Sequence, residues 1–296
     1  MLHSRRWPAI LSLALALGWG TLSTANAYAP LTLLSNPEGA DSSTAAGINN
    51  KGQVVGQSCF AGCTSVAATV WNSGMPTVLS GSGWSAAAAV NDSGQIAGST
   101  NSYQAVTWVT PDSPQPLSGF GGTLSQAYGI NNAGQIVGFS TSSDGTNYAT
   151  VWNGLVPVNL GLGDAGSGNS VAVAINNTGQ VVGTINSRAY MWDGLTATAL
   201  DSTHSPFSYA TAINDLGQAV GAFGPVNNNF TQAFRWHDNV MVALPSLGGP
   251  QKYSAAFGIN GAGLVVGFGF SGDPTSNDFV ATLWDGMTVI DLNTLV

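Results

Sequence analysis

The chain has 296 residues, of which 44% are hydrophobic and 7% are charged, and its formal net charge is −8. This acidity disfavours binding to nucleic-acid phosphates or anionic lipid surfaces, because both require clustered Lys and Arg. Although there are 39 glycines, the hydrophobic fraction is too high for a disordered chain. The composition therefore indicates a folded domain whose partner is neither nucleic acid nor a membrane.

The first element is predicted to be a signal peptide over residues 1–27. Arg5 and Arg6 precede an apolar run at 8–19, and a small-x-small cleavage motif follows at 25–27. The remaining residues, 28–296, are predicted to form a single repeat domain with a net charge of about −10, since four basic residues face 14 acids. No other segment reaches eighteen consecutive apolar residues, so we expect a soluble protein that is extracellular or periplasmic.

A ten-residue string, GINNAGQIVG at 129–138, recurs in related form six times along the chain. The asparagines that open these copies are 38 to 46 residues apart: Asn49, Asn91, Asn131, Asn176, Asn214 and Asn260. A period near forty residues is typical of repeat architectures.

The first strand of each repeat precedes this asparagine. Ser stands six residues before it and Ala four residues before it in every copy, with Gly or Ala two residues before it. Residues that alternate in this way indicate a strand, and its one small face predicts close neighbours near the axis of a ring. The Asn-x-x-Gly segment predicts a tight hairpin into a second strand. We expect the asparagines and the glutamines of this motif to make structural hydrogen bonds: Gln53, Gln95, Gln135, Gln180 and Gln218.

The third strand of each repeat ends in a tryptophan that follows an alanine by three residues. One buried Trp per repeat would anchor the packing of neighbouring sheets. A short turn and a fourth run come next, as in VPVNL at 156–160. Four short antiparallel strands per repeat of about 42 residues are typical of a propeller blade, so the sequence predicts an all-β, six-bladed β-propeller.

The fourth run occurs seven times, because PLTLL at 30–34 precedes the first repeat and VIDLNTL at 289–295 follows the last. In a closed ring one of these terminal runs would be a surplus edge strand. An open β-solenoid with capped ends is the alternative that also accommodates seven copies.

The two cysteines, Cys59 and Cys63, are predicted to form a disulfide across a hairpin tip. On the entropic model so small a loop contributes about 2 kcal/mol at most. A redox pair would favour C-x-x-C spacing, and a metal site would need nearby histidines.

The repeat resembles the HAF family of bacterial extracellular repeat proteins. The most similar strings are QAFRWHDN at 232–239, LPSLGGPQKYSAAFGIN at 244–260 and LWDGMTVIDLNTL at 283–295. Two positions depart from the family pattern, namely Gln232 before Ala-Phe and Leu264 where the other copies have Gln. The resemblance implies export and a repeat fold, and it brings no catalytic residues.

The connections of a blade fall on two sides. The Asn-x-x-Gly turn and the turn after Trp lie on one side, which we call the turn side. The second connection of each blade and the linker between blades lie on the other, which we call the loop side. The spacing in sequence from the Gly that closes the second strand to the Ala before Trp varies from 6 to 14 residues. Variation collected on one side is typical of a binding surface.

Several residues in these variable connections are candidates for ligand contacts. The position before the repeated Ser holds Ser42, Trp84, Leu124, Asn169, Phe207 and Tyr253. Its three aromatic residues could stack on sugar rings, or they could cap the hydrophobic end of each blade. With polar neighbours, the predicted ligand-binding residues are Trp84, Tyr103, Arg188, His204, Phe207 and Tyr253.

Groups for catalysis or metal binding are scarce. The predicted mature chain has one glutamate, Glu38, and two histidines, His204 and His237. The segments 142–147 and 271–278 are loosely similar to calcium loops, but they lack alternating carboxylates. We therefore expect no catalytic residue, cofactor or metal, with weak calcium binding at these two segments as the alternative.

These features predict a secreted, monomeric, non-enzymatic module that binds a glycan or an envelope protein through its loop side. The alternative is an extracellular polysaccharide-acting enzyme with a site at the propeller opening. It would need four residues to converge in a deep pocket: Asp164, Arg188, Asp201 and His204. A passive matrix component is a third possibility.

Overall fold

The computed structural model describes residues 33–81, 83–100, 103–163, 166–201, 207–224, 231–248, 253–271 and 278–295. The predicted signal peptide, most of the run at 30–34, Asp164, His204 and Lys252 lie outside these ranges. Within the described ranges, no helix is long and apolar enough to cross a membrane.

In the part of the chain that the structure describes, twenty-four strands form six four-stranded sheets, and the strands of each sheet lie in chain order. The prediction of a six-bladed β-propeller is confirmed, with one sheet, or blade, per sequence repeat. The chain divides into two compact units, Met1–Gln115 and Pro116–Val296.

The first unit holds two blades. Blade 1 comprises β1 (Ala40–Ile48), β2 (Val54–Phe60), β3 (Ser65–Asn72) and β4 (Met75–Val78). Blade 2 comprises β5 (Ser85–Val90), β6 (Ile96–Thr100), β7 (Gln104–Trp108) and β8 (Pro114–Pro116), whose last residue is the first of the second unit.

The second unit holds four blades. Blade 3 comprises β9 (Gly121–Ile130), β10 (Gln135–Ser142), β11 (Asn147–Asn153) and β12 (Val156–Asn159). Blade 4 comprises β13 (Ser170–Ile175), β14 (Val181–Ile185), β15 (Arg188–Asp193) and β16 (Thr196–Ala199). Blade 5 comprises β17 (Phe207–Ile213), β18 (Ala219–Gly224), β19 (Gln232–His237) and β20 (Val240–Ala243). Blade 6 comprises β21 (Ser254–Ile259), β22 (Val265–Phe270), β23 (Phe279–Asp285) and β24 (Thr288–Asp291), followed by a 3-10 helix at Leu292–Leu295.

The tryptophan column is the packing anchor that the sequence predicts. Trp71, Trp108, Trp152, Trp192 and Trp284 are at most 1% exposed, and Trp236 is 7% exposed. The indole nitrogen of Trp152 donates a hydrogen bond of 2.7 Å to the Ser118 carbonyl in the linker that precedes its blade. Trp192 also packs with Val137 and Val151 of the preceding blade. Five of these tryptophans thus fill an apolar space while the indole nitrogen donates to a backbone carbonyl, namely Trp71, Trp108, Trp152, Trp192 and Trp284.

The repeated Ser joins the first strand of one blade to the third strand of the preceding blade. The Ser170 hydroxyl accepts a 2.8 Å hydrogen bond from the Ala149 backbone N–H of the preceding blade. The pairs Ala68–Ser85, Ala189–Ser208 and Ala233–Ser254 repeat this contact. Because the Ser side chain is short, the first strand must lie close to the backbone of the preceding blade. This leaves no room for large side chains on that face of the strand.

The glycine that closes the second strand is required by a bulge in the first. In blade 3 the pairing register shifts between Val137 and Gly138, where β10 pairs with β9. A Cβ atom built on Gly138 would lie only 1.8 Å from the Gln126 carbonyl oxygen. The equivalent distance is 1.9 to 2.2 Å in the other five blades. Glycine is thus needed here for close backbone approach.

We expect Trp152→Ala to lower the free energy of unfolding by about 3–5 kcal/mol, since it would empty a fully buried site. Trp84→Ala should cost about 1 kcal/mol or less, because Trp84 is 39% exposed. Thermal melts of both variants test this difference. Equal losses at the two positions would contradict the assignment of Trp84 to the surface.

We expect Gly138→Ala to destabilise the protein by about 1–3 kcal/mol or more, because the new methyl group would meet the backbone of β9. Gly261→Ala is the matched control, since its Cβ would have no atom within 4 Å and its φ is not positive. It should be neutral or stabilise by up to about 1 kcal/mol. Urea unfolding measures both, and a tolerant Gly138 would refute the close-approach explanation.

Candidate functional site

Hydrogen bonds between connections confirm the predicted sorting into two sides. On the turn side, the side-chain Nε2 of Gln135 donates a 3.0 Å hydrogen bond to the side-chain Oδ1 of Asn153, which lies in the turn after Trp. On the loop side, the Asn147 N–H of one blade donates to the Asn169 side chain of the next at 2.9 Å. Each blade therefore has two ends. Its turn end lies on the turn side and its loop end lies on the loop side.

On the turn side, the asparagine column bonds one blade to the next. The Asn176 carbonyl Oδ1 accepts from the Gln180 N–H at 2.8 Å, which closes its own turn. The Asn176 Nδ2 donates to the Gln180 side chain at 3.0 Å and to the Asn214 carbonyl of blade 5 at 3.0 Å. Asn176 is 3% exposed, so its amide is fully used inside the fold.

The same inter-blade bond recurs elsewhere in both units: Asn49 to Asn91, Asn131 to Asn176, and Asn214 to Asn260. A second, outer set involves the next residue of the turn. Asn177 donates its backbone N–H and its side-chain amide to the two oxygens of Asp215, at 2.8 and 2.9 Å. These contacts explain why polar residues recur in the turns without a ligand.

On the loop side of blade 1, the Cys59–Cys63 disulfide is present, as predicted. It closes the tip between β2 and β3, where Ala61, Gly62 and Cys63 all have positive φ. The Gly62 N–H also donates to the Asp41 carboxylate at 2.8 Å. The bridge therefore fixes a tight loop whose backbone is unusual for two non-glycine residues.

In blade 2, the loop end places two predicted ligand residues on neighbouring connections. Trp84 immediately precedes Ser85, which pairs with Thr100 at the end of β6. Tyr103 follows in the β6–β7 hairpin, where its φ is +61°. Trp84 is 39% exposed and Tyr103 is 56% exposed. Two large aromatic side chains are thus available to solvent at one blade end.

In blades 5 and 6, the loop end of each blade carries aromatic contacts. The rings of Phe207 and Tyr209 are 5.9 Å apart. Burial raises the pKa of the Tyr209 phenol, and the nearby Tyr253 raises it further, while a hydrogen bond with Thr231 lowers it. Tyr253 is half-buried, and its ring lies 5.4 Å from that of Phe279.

Blade 6 holds further aromatic residues that the sequence pattern did not predict as ligand contacts. Phe270 and Phe279 stack at 4.6 Å, and Phe268 lies 5.1 Å from Phe279. Phe279 is 56% exposed. A signal was available in the sequence, because Phe268 and Phe270 alternate at the end of the second strand of the last repeat and Phe279 begins its third strand.

Arg188 belongs to a different blade from these aromatic residues, and it lies on the loop end of blade 4. It begins β15 and pairs with Ile185 across a two-residue turn. Asn186 in that turn accepts from the Asn169 N–H at 3.1 Å and donates to the Ser167 carbonyl at 2.7 Å. Arg188 therefore has a polar, asparagine-rich surrounding.

The residues of the enzyme alternative are only partly described. Asp201 is 4% exposed and directly follows the buried Leu200, whereas Arg188 is partly exposed at the start of β15. Asp164 and His204 lie outside the described ranges. No converging set of acids and bases emerges from the residues that are described.

The calcium-like segment at 142–147 has a local explanation. Hydrogen bonds from the Ser142 hydroxyl and from Thr146 lower the pKa of the Asp144 carboxyl. The carboxylate thus closes its own turn. Across the described ranges, no group of three or more His, Cys, Asp or Glu side chains could hold a metal ion.

We expect Asn176→Asp to destabilise the protein by about 1–3 kcal/mol, because it replaces the donor to the Gln180 side chain and to the Asn214 carbonyl by an oxygen. Asn153→Asp is the matched control, since exposed Asn153 uses only its carbonyl oxygen, and blade 4 already has Asp193 there. It should change stability by less than about 0.5 kcal/mol. Denaturant unfolding at neutral pH compares them, and equal effects would argue against the inter-blade bond.

No family model and no curated protein matches the chain. Among solved structures, the chain is similar to a triple mutant of AofleA from Arthrobotrys oligospora, at 10% sequence identity and a TM-score of 0.38. The similarity covers 83% of this chain and 86% of that chain.

Proposed function

We propose that this protein is a secreted, non-enzymatic interaction module whose loop side binds a glycan or an envelope protein. We also propose that it belongs with the HAF family of extracellular repeat proteins, which its repeat resembles. The Cys59–Cys63 disulfide fits an oxidising compartment, as does the basic and apolar leader.

One contrast carries the proposal. The repeated polar side chains of the turn side are spent on bonds within the fold, as Asn176 illustrates. The loop side instead varies between blades, and its residues Trp84, Tyr103 and Phe207 are 37–56% exposed to solvent. Exposed aromatic side chains on variable connections are typical of recognition surfaces.

A glycan is the partner that these side chains fit best. The C–H faces of sugar rings stack on aromatic rings, while sugar hydroxyls need hydrogen-bonding groups beside them. Tyr103 and Tyr253 supply both an aromatic face and a hydroxyl. Arg188, with asparagines around it, would add polar contacts at a separate blade end.

We expect the purified mature protein to bind a glycan on a glycan array or to capture an envelope component in pull-downs from envelope extracts. The double variant Trp84→Ala, Tyr253→Ala should abolish the glycan binding, because it removes one loop-side aromatic ring from each unit. Leu195→Ala, at a turn-side residue that is 67% exposed, is the control and should bind normally.

Blank results with both the array and the extracts would count against the interaction module. Glycan binding that survives the double substitution would eliminate the aromatic residues as its basis. Circular dichroism melts of each variant separate lost binding from lost folding.

A further inference from the structure

We infer that the dipeptide Asn260–Gly261 is a self-modification site, at which the Asn260 side chain loses ammonia by way of a succinimide. Asn-Gly is the dipeptide in which this cyclisation is least hindered, because glycine has no Cβ beside the attacking nitrogen. Of the six asparagines that open the repeated turns, Asn260 alone precedes a glycine. The site lies on the turn side of blade 6, so its chemistry does not depend on any ligand of the loop side.

The side-chain nitrogen of Asn260 is not committed to the fold as its counterparts are. Asn176 donates its Nδ2 to the Gln180 side chain and to the Asn214 carbonyl. In blade 6 Leu264 replaces the glutamine, and none of the described residues accepts a hydrogen bond from the Asn260 Nδ2. Asn260 is also half-buried, whereas the other five asparagines of the column are buried. Its nitrogen can therefore leave without breaking a bond between blades.

The attacking atom, the backbone nitrogen of Gly261, is equally free. In blades 3 and 4 the N–H at this position is bonded to the next blade, from Asn132 to Asn177 at 2.9 Å and from Asn177 to Asp215 at 2.8 Å. Within the described part of the chain, nothing accepts from the Gly261 N–H. Gly261 is exposed, and a Cβ atom built on it would meet no atom within 4 Å. The succinimide ring therefore has room to form.

The turn activates the carbon that is attacked. The Asn260 Oδ1 accepts hydrogen bonds from the backbone N–H groups of Ala262 and Leu264, both at 3.0 Å. As the Gly261 nitrogen adds to Cγ, negative charge develops on Oδ1, and two fixed donors stabilise it as an oxyanion hole does. Asn176 has the same two donors in its own turn, but its Nδ2 is held by acceptors.

The reaction requires only hydroxide and water. Hydroxide removes the proton of the Gly261 N–H, and the nitrogen forms a bond to the Asn260 Cγ. The bond from Cγ to Nδ2 then breaks, and the nitrogen takes up a proton and leaves as ammonia. Water opens the succinimide at either carbonyl, which yields an aspartate or an isoaspartate. Either product adds a negative charge to a chain that is already acidic.

Peptide mapping by mass spectrometry, on folded protein kept in mildly alkaline buffer, measures ammonia loss at each asparagine. We expect Asn260 to react at least about tenfold faster than Asn176, because only its reacting atoms are free to meet. Isoaspartate should be among the products. Asn153–Gly154 is the matched dipeptide and should react more slowly than Asn260, since the Asn153 Oδ1 accepts from the side-chain donor of Gln135.

Gly261→Ala should slow the reaction at Asn260 about tenfold or more, because a Cβ hinders the attacking nitrogen. This variant keeps the turn, since its Cβ meets no atom within 4 Å. Asn260→Asp, which carries the product of direct hydrolysis, should melt like the wild type, whereas Asn176→Asp melts lower.

Faster reaction at Asn153 than at Asn260 in the folded protein would overturn the inference. So would an Asn260 that stays intact in the folded protein while it reacts in the urea-unfolded chain. An unchanged rate in Gly261→Ala would rule out attack by the Gly261 nitrogen. A melt of Asn260→Asp as low as that of Asn176→Asp would show that the Asn260 nitrogen is committed to the fold.

Discussion

The fold depends on one short bond that an asparagine amide makes to the next blade. In the second unit Asn176 closes its own turn with its oxygen and reaches the Asn214 carbonyl with its nitrogen, at 3.0 Å. Such a bond forms only if the first strands of neighbouring blades lie close together. The Ser of the first strand adds a second bond, because its hydroxyl accepts from a backbone N–H on the third strand of the preceding blade, as Ser170 does from Ala149. Both bonds require the strands to approach closely, which explains why this face of the first strand carries only small side chains.

The sequence predicted the blades because the same constraints recur six times. Tight hairpins, a small-faced strand and a buried Trp such as Trp152 each follow from local residue patterns. The need for Gly138 could not be foreseen, because it arises from a bulge that changes which backbone atoms face each other. The aromatic cluster of blade 6 was missed because Phe268 and Phe279 lie on strands rather than in the variable connections that suggested binding.

The two sides of the blades divide stability from recognition. Turn-side polar residues such as Asn176 and Asp215 are committed to partners within the fold, so a ligand would have to displace bonds that hold the blades together. Loop-side residues such as Trp84 and Phe279 lie partly in solvent and differ between blades. A repeat protein can therefore vary its recognition surface without changing the bonds that join its sheets.

Hydrogen–deuterium exchange with and without the captured ligand tests this division most directly. The account predicts slow exchange at the Asn-x-x-Gly turns in both states, because their N–H groups are bonded within the fold. It predicts that ligand slows exchange in loop-side connections, including those at 83–85, 103–104 and 253–254. Ligand protection confined to the Asn-x-x-Gly turns, with no change in these connections, would contradict it.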